Sequence, residues 1–169
     1  KHFFHKTTAP GLHDLLWARM RLDQKSRRVA SGTKGRRYTL FKSDVSKAHR
    51  RLKVRKTDWK YMIAQILNEL WVNHVGTYGV ASAQYYWGRM ASLVVRLLYQ
   101  ISVDFLWVFV FVDDFILIVE EDLGPTMAAI FLLFLEVIGC PVSWHKNVLA
   151  CINTWVGYVV DINENTAWL

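Results

Sequence analysis

The chain has 169 residues, 53% of them apolar, enough for one domain with a substantial buried core. Its formal charge of +7 is unevenly spread: residues 1–60 hold 18 of the 21 Lys and Arg against 4 of the 14 Asp and Glu, which leaves 3 basic and 10 acidic residues for 61–169. Two isolated cysteines, Cys140 and Cys151, argue against a disulfide framework or a Cys/His zinc module, and Lys1-His2-Phe3-Phe4-His5 lacks the apolar run of a secretory signal.

In chain order, Thr8 followed by Pro10 starts a helix, and Leu12, Leu15, Leu16 and Met20 carry its apolar face to about Arg21. The stretch from Gln24 to Arg37 is polar, basic and glycine-containing, and is predicted as a loop; residues 1–37 therefore read as a basic N-terminal segment of helix and loop. Lys25-Ser26-Arg27-Arg28, Lys34-Gly35-Arg36-Arg37 and Arg50-Arg51-Leu52-Lys53-Val54-Arg55-Lys56 suit contact with a phosphate backbone. A solvated basic surface accounts for the same charge equally well. Tyr38 to Lys42 is predicted as a strand leading into Asp44. Tyr61 to Leu67 and Leu70 to Val75 are predicted strands joined around Asn68-Glu69.

From Ala81 to Gln100 the only breaker is Gly88, so a long helix is expected. Phe105 to Val112 and Phe115 to Val119, rich in Val, Phe and Ile, read as a hairpin joined by Asp113-Asp114. Gly124-Pro125 opens a helix that runs to about Ile138 and is closed by Gly139, with Pro141 after it. Val148 to Ile152 and Trp155 to Val160 are predicted as the last strands. The order is α+β, with a β-α-β-β-α-β core of the split type, an antiparallel sheet packed on helices.

Asp113 and Asp114 interrupt fifteen residues, Phe105 to Val119, that are otherwise apolar. Two adjacent carboxylates in such surroundings repel each other and lose solvation unless a cation offsets their charge. Asp44 is a third carboxylate at a strand end. Gathered together, the three make an all-oxygen set suited to Mg²⁺ or Mn²⁺. Two ions about 3.5–4 Å apart in such a set serve to activate a hydroxyl and to stabilise a departing pyrophosphate. The pair taken alone also reads as a polar hairpin turn, because Asp favours turns. A membrane span fits poorly: the apolar run is shorter than the roughly 20 residues a spanning helix needs, and its β-branched content favours strands.

These carboxylates sit in a series of motifs that resembles the reverse transcriptase family over residues 38–160. Phe41-Lys42-Ser43-Asp44-Val45-Ser46-Lys47-Ala48-His49 is similar to the first palm motif, whose Asp binds metal. Gly76-Thr77-Tyr78-Gly79-Val80-Ala81-Ser82-Ala83-Gln84-Tyr85-Tyr86-Trp87 resembles the glycine turn and helix along template and incoming nucleotide. Phe111-Val112-Asp113-Asp114 matches the aromatic-x-Asp-Asp signature. Gly139-Cys140-Pro141-Val142-Ser143-Trp144-His145-Lys146 is similar to the motif whose Lys lies near the triphosphate, and Trp155-Val156-Gly157-Tyr158 to the strand that grips the primer end.

The resemblance implies a polymerase palm over 38–169 with partial fingers before it, and RNA-directed DNA synthesis by a two-metal mechanism, as in a retroelement. Asp44, Asp113 and Asp114 would be catalytic and bind two Mg²⁺ or Mn²⁺ ions. His49, Tyr78, Gly79 and Lys146 would contact the nucleotide, and Phe111 and Gly157 the primer and template. The partners implied are an RNA or DNA template with its primer and deoxynucleoside triphosphates, with no membrane. Other residue readings stay open: Gly79 as an ordinary helix entry, Tyr78 as a core aromatic, Lys146 as a solvated loop lysine, and Tyr86 and Trp87 as helix packing.

Two positions depart from the family pattern. His49 stands where the family has Phe or Tyr, which excludes a ribose 2′-hydroxyl, and Gln84 replaces the Pro common in the second motif. With 43 residues before Asp44, most of the basic finger region is expected to be missing from this stretch, as are the thumb and RNase H segments that the resemblance places after the palm. An RNA-templated RNA polymerase and a non-catalytic nucleic-acid-binding palm remnant are the competing expectations.

Overall fold

The computed structural model describes residues 9–29, 36–77, 79–104 and 106–169, apart from the side chains of residues 26–29 and 81. Thr8, Lys34, Gly35 and Tyr78 lie outside the described residues.

A four-stranded antiparallel sheet organises the chain. It is built from β1 (Tyr38–Asp44), β4 (Trp107–Phe111), β5 (Asp114–Glu120) and β6 (Val148–Ala150), in the order β4-β5-β1-β6. The crossover from β1 runs through a two-stranded hairpin, β2 (Ile63–Ile66) and β3 (Glu69–Val72), and then α2 (Ala81–Ile101); α3 (Gly124–Val137) connects β5 to β6. The expected β-α-β-β-α-β order is present, with the β2–β3 hairpin inserted.

β5 reads as a continuous apolar run because it is buried on both faces. Phe115, Leu117 and Val119 point into one cluster with Trp87, Val94 and Leu98 of α2 and with Phe131 and Leu135 of α3. Ile116 and Ile118 point into the other, with Tyr38, Leu40, Trp155, Val160 and Ile162. Leu15 and Ala18 of α1 (Leu12–Val29) belong to that second cluster. Each large apolar side chain removed from water here contributes about 1.5–3 kcal/mol before chain entropy is counted.

Several boundaries differ from the sequence reading, each for a local reason. α1 continues to Val29, through residues expected to be loop. Asp23, Gln24 and Lys25 extend it without a breaker, and Arg19 pairs with Asp23 one turn on. The hairpin turn is Val112–Asp113, and Asp114 is the first residue of β5, opposite Phe111.

The stretch 155–160, expected as one strand, folds back on itself. β7 (Ile152–Trp155) and β8 (Tyr158–Asp161) flank Val156 and Gly157, both at positive φ (51° and 83°), as in a type I′ turn. β9 (Thr166–Trp168), absent from the sequence reading, completes this second sheet.

α3 ends as expected at Gly139, with φ 74°. Cys140 N donates to Leu135 O (2.8 Å) and Gly139 N to Glu136 O (3.0 Å), the paired bonds of a Schellman motif. That stop turns the chain back toward β1. No helix among the described residues is long and apolar enough to cross a membrane.

Candidate active site

The site is assembled at one end of β1 and β5. In their antiparallel register Asp44 lies directly opposite Asp114, so both side chains leave the same face of the sheet. Asp113 precedes them in the β4–β5 turn, and its carbonyl accepts a hydrogen bond from Val45 N (3.0 Å). Asp113 and Asp114, 69 and 70 positions after Asp44 in sequence, thus lie with it at one end of the sheet.

The turn itself is constrained. Val112 has φ 58°, in the left-handed region where a β-branched residue is an outlier. Its carbonyl accepts a 2.6 Å hydrogen bond from Nε1 of Trp87, a side chain 1% exposed in the helix-side core. Trp155 Nε1 reaches the Asp114 carbonyl at 3.5 Å from the opposite side of the sheet.

The chain after the Schellman stop runs beside β1. Ser46 N donates to Pro141 O (2.9 Å), Ser143 N to Asp44 O (2.8 Å), and Val45 bridges Val142. This places two side chains on the Asp44 carboxylate: Ser143 Oγ donates to Oδ1 (2.8 Å) and Lys146 Nζ to Oδ2 (2.9 Å). Asp44 is only 5% exposed, so its charge is lodged beside a cation rather than in water. Its hydrogen bond holds the Lys146 ammonium above the ordinary lysine range, with burial opposing and the negative charges of Asp44, Asp114 and Asp113 assisting. Asp114 is pushed up first by burial; Asp44 and Asp113 push it further, while Lys42 and Lys146 pull it down.

An open cleft of about 330 Å³ lies here, walled by Asp44, His49, Asp113, Ser143 and Lys146 among others. A larger one of about 730 Å³ runs along α2 beside Tyr86, Met90 and Leu93 and carries no carboxylate. His49 is 6% exposed, on the 3-10 turn Ala48–Arg51, and its Nε2 meets Gln84 Oε1 of α2 at 3.0 Å. His49 and Gln84, both set apart in the sequence reading, thus meet in one contact. Gly76 abuts this turn: a Cβ there would stand 2.5 Å from the His49 carbonyl oxygen.

Four sequence-predicted residues, Asp44, His49, Asp113 and Lys146, line one cleft, with Asp114 on the strand beside it. Gly79, Phe111 and Gly157 are not part of its wall. Gly79 has φ 85° and open space where a Cβ would project, so it is demanded by backbone conformation rather than by crowding. Phe111 packs against the second cluster, and Gly157 sits in the β7–β8 turn. Ser143, Gln84, Gly76 and the indole of Trp87 are not singled out for these contacts by sequence; no local pattern announces bonds spanning 25 to 99 positions.

The basic clusters divide. Arg37 pairs with Glu121 (3.0 Å) and Arg36 with Glu120, so these two are engaged within the chain. Arg50 lines the cleft, and Arg55 and Lys56 are exposed beyond it.

The donor set fits a hard divalent ion in kind, being carboxylate oxygen throughout. Among the described residues no three His, Cys, Asp or Glu side chains converge into a metal-holding group; Asp44 gives its two oxygens to Ser143 and Lys146.

No family model matches the sequence, and no curated protein matches it. Among solved structures, the fold is similar to the foamy viral protease–reverse transcriptase in complex with RNA/DNA hybrid, with a TM-score of 0.60 and 17% identity over 73% of this chain. The chain spans 16% of the length of that protein, and the likeness is one of fold: an α+β arrangement of antiparallel sheet and helices found in part of a retroviral reverse transcriptase.

Proposed function

We propose that this chain is the palm portion of a template-directed nucleotidyl transferase that carries out RNA-directed DNA synthesis, as in a retroelement. The observation that carries the reading is the register of Asp44 opposite Asp114, with Asp113 in the adjoining turn and Lys146 joined to Asp44. A structural ion pair needs one carboxylate; a second and third at the same strand end, with Asp114 raised in pKa first by burial and only partly relieved by Lys42 and Lys146, suit a site that takes up a cation.

Asp44, Asp113 and Asp114 would hold two Mg²⁺ or Mn²⁺ ions, which supply activation of a primer 3′-hydroxyl and charge stabilisation at the leaving pyrophosphate. Lys146, whose ammonium form the Asp44 hydrogen bond favours, would offer a proton or its charge to the pyrophosphate oxygen. His49 would form the wall nearest a nucleotide sugar, Gly79 and Tyr78 would meet the nucleotide, and Phe111 and Gly157 the primer. Exposed Arg55 and Lys56, with Arg50 in the cleft, would take template or primer phosphates.

One observation favours a second reading, RNA-templated RNA synthesis: the wall at position 49 is a polar imidazole hydrogen-bonded to Gln84 instead of a Phe or Tyr ring. Primer extension on RNA and DNA templates, with deoxy- or ribonucleotides and Mg²⁺ or Mn²⁺, tests both. Incorporation that disappears in Asp113→Asn/Asp114→Asn supports the metal-dependent transferase. Extension that survives the double substitution contradicts it, and salt-sensitive binding without extension makes the chain a nucleic-acid-binding palm.

A further inference from the structure

We propose that Trp87 is a positioning residue for the catalytic turn, holding Val112 in its left-handed conformation so that Asp113 faces the cleft. The role assigned to Asp113 rests on the reading above; the claim about the turn's geometry does not.

The first residue of this two-residue hairpin turn must take positive φ, and such turns normally place Gly or Asn there. Valine is a poor choice, because its branched Cβ crowds the backbone at φ 58°. A conformation like that persists only when its surroundings over-determine it. Two contacts do so. The Val112 side chain packs against the helix-side core, and its carbonyl accepts the Trp87 indole N–H at 2.6 Å.

Trp87 is suited to this work. It is 1% exposed, and its helix places Ala83, Ala91 and Val94 in the core around it, so the ring cannot follow the turn if the turn relaxes. A turn that let go would leave a buried N–H without an acceptor, a loss that opposes relaxation. On the other side, Val45 N holds the Asp113 carbonyl at 3.0 Å. Consecutive carbonyls of the turn are thus fastened from two elements, α2 and the end of β1, and the Asp113 side chain lines the cleft. Packing alone does not require the nitrogen: a hydrocarbon ring of similar size would fill the space.

The test compares wild type, Trp87→Phe, Val112→Gly and the double variant, all as the 169-residue chain. Amide exchange at Val45 reports the turn without any metal, and Mn²⁺ affinity by electron paramagnetic resonance reports the carboxylates. The expected result in Trp87→Phe is exchange at Val45 faster by about tenfold or more, with amides of the β7–β8 hairpin unchanged, and Mn²⁺ binding weakened about five- to tenfold. Glycine adopts positive φ without strain, so in the Val112→Gly background removing the indole N–H should change both by less than about twofold. If Phe disturbs packing, benzothienylalanine at position 87, which keeps the ring shape and lacks only the N–H, takes its place.

Unchanged Val45 exchange overturns the proposal. So does an equal acceleration at the β7–β8 hairpin, which signals general loosening, or an effect just as large in the Val112→Gly background. If the Val45 effect and its relief by Val112→Gly appear while wild type binds no Mn²⁺, the positioning stands and the metal reading fails.

Discussion

His49 Nε2 and Gln84 Oε1 are 3.0 Å apart, linking the turn after β1 to the first turns of α2 across 35 residues. The contact ties the imidazole to α2 through Nε2. A wall of this kind is smaller than a Phe or Tyr ring and can bond a hydroxyl. His49→Phe is expected to raise the preference for deoxy- over ribonucleotides by about tenfold or more, measured as the ratio of kcat/KM values. Gln84→Ala should move the ratio less while lowering both efficiencies, because it removes one tether of the ring without enlarging it. An unchanged ratio in His49→Phe removes position 49 from sugar selection.

Lys146→Met removes the cation from Asp44 and the proposed proton donor together. The expected loss is about 10²-fold or more in kcat, with KM changed far less, as for general acids. The Asp44 bond raises the Lys146 pKa, so the ammonium stays charged through neutral pH and the wild-type rate should show no alkaline fall from this group near pH 8. Such a fall in wild type that is missing from the Met variant would contradict the assignment.

Asp114 gives a pH-dependent stability. Its folded pKa is raised above the unfolded value, chiefly by burial, so the native state binds the proton more tightly. Stability is therefore lost as pH rises through and above the ordinary carboxylate range, and the penalty is absent at pH values below it. In EDTA, Asp114→Asn should be more stable than wild type at pH 7, by about 1–3 °C in Tm given that the side chain is half-exposed. The gain should vanish on acidification toward pH 3. Thermal scans across that range check it, and a gain that persists at low pH would assign the effect to packing.

Two glycines should respond oppositely to alanine. At Gly76 a Cβ meets the His49 backbone at 2.5 Å, and backbone cannot step aside cheaply. Gly76→Ala is expected to cost about 1–3 kcal/mol and to disturb the His49 turn. At Gly88, within α2, a Cβ meets open space, so Gly88→Ala should add about 0.5–1 kcal/mol through helix propensity. Urea titrations of the two variants measure both signs.

The elements that sequence places well are those with strong local signals. α2 has a long uninterrupted apolar pattern, α3 carries Pro125 at its start and Gly139 at its stop, and β5 is an apolar run long enough to be buried on two faces. The fold-back in segment 155–160 escapes a sequence reading because Val156 occupies a positive-φ position with no composition to announce it. The same holds at Val112, whose positive φ goes with a contact to Trp87 that lies 25 positions away. Asp44, Asp113 and Asp114 stand out as charges in apolar strands. Their mutual register, and the Ser143 and Lys146 contacts to Asp44, depend on strand pairing that no short window contains.

The central claim is that Asp44 acts with Asp113 and Asp114 as one divalent-ion-dependent set, and single-nucleotide extension of a labelled primer on an RNA template measures it most directly. With Mg²⁺ or Mn²⁺ titrated, wild type should extend only when the ion is present, and Asp44→Asn should lose at least about 10³-fold in rate at every ion concentration. Extension by Asp44→Asn within about twofold of wild type, or by wild type in EDTA, would contradict the account.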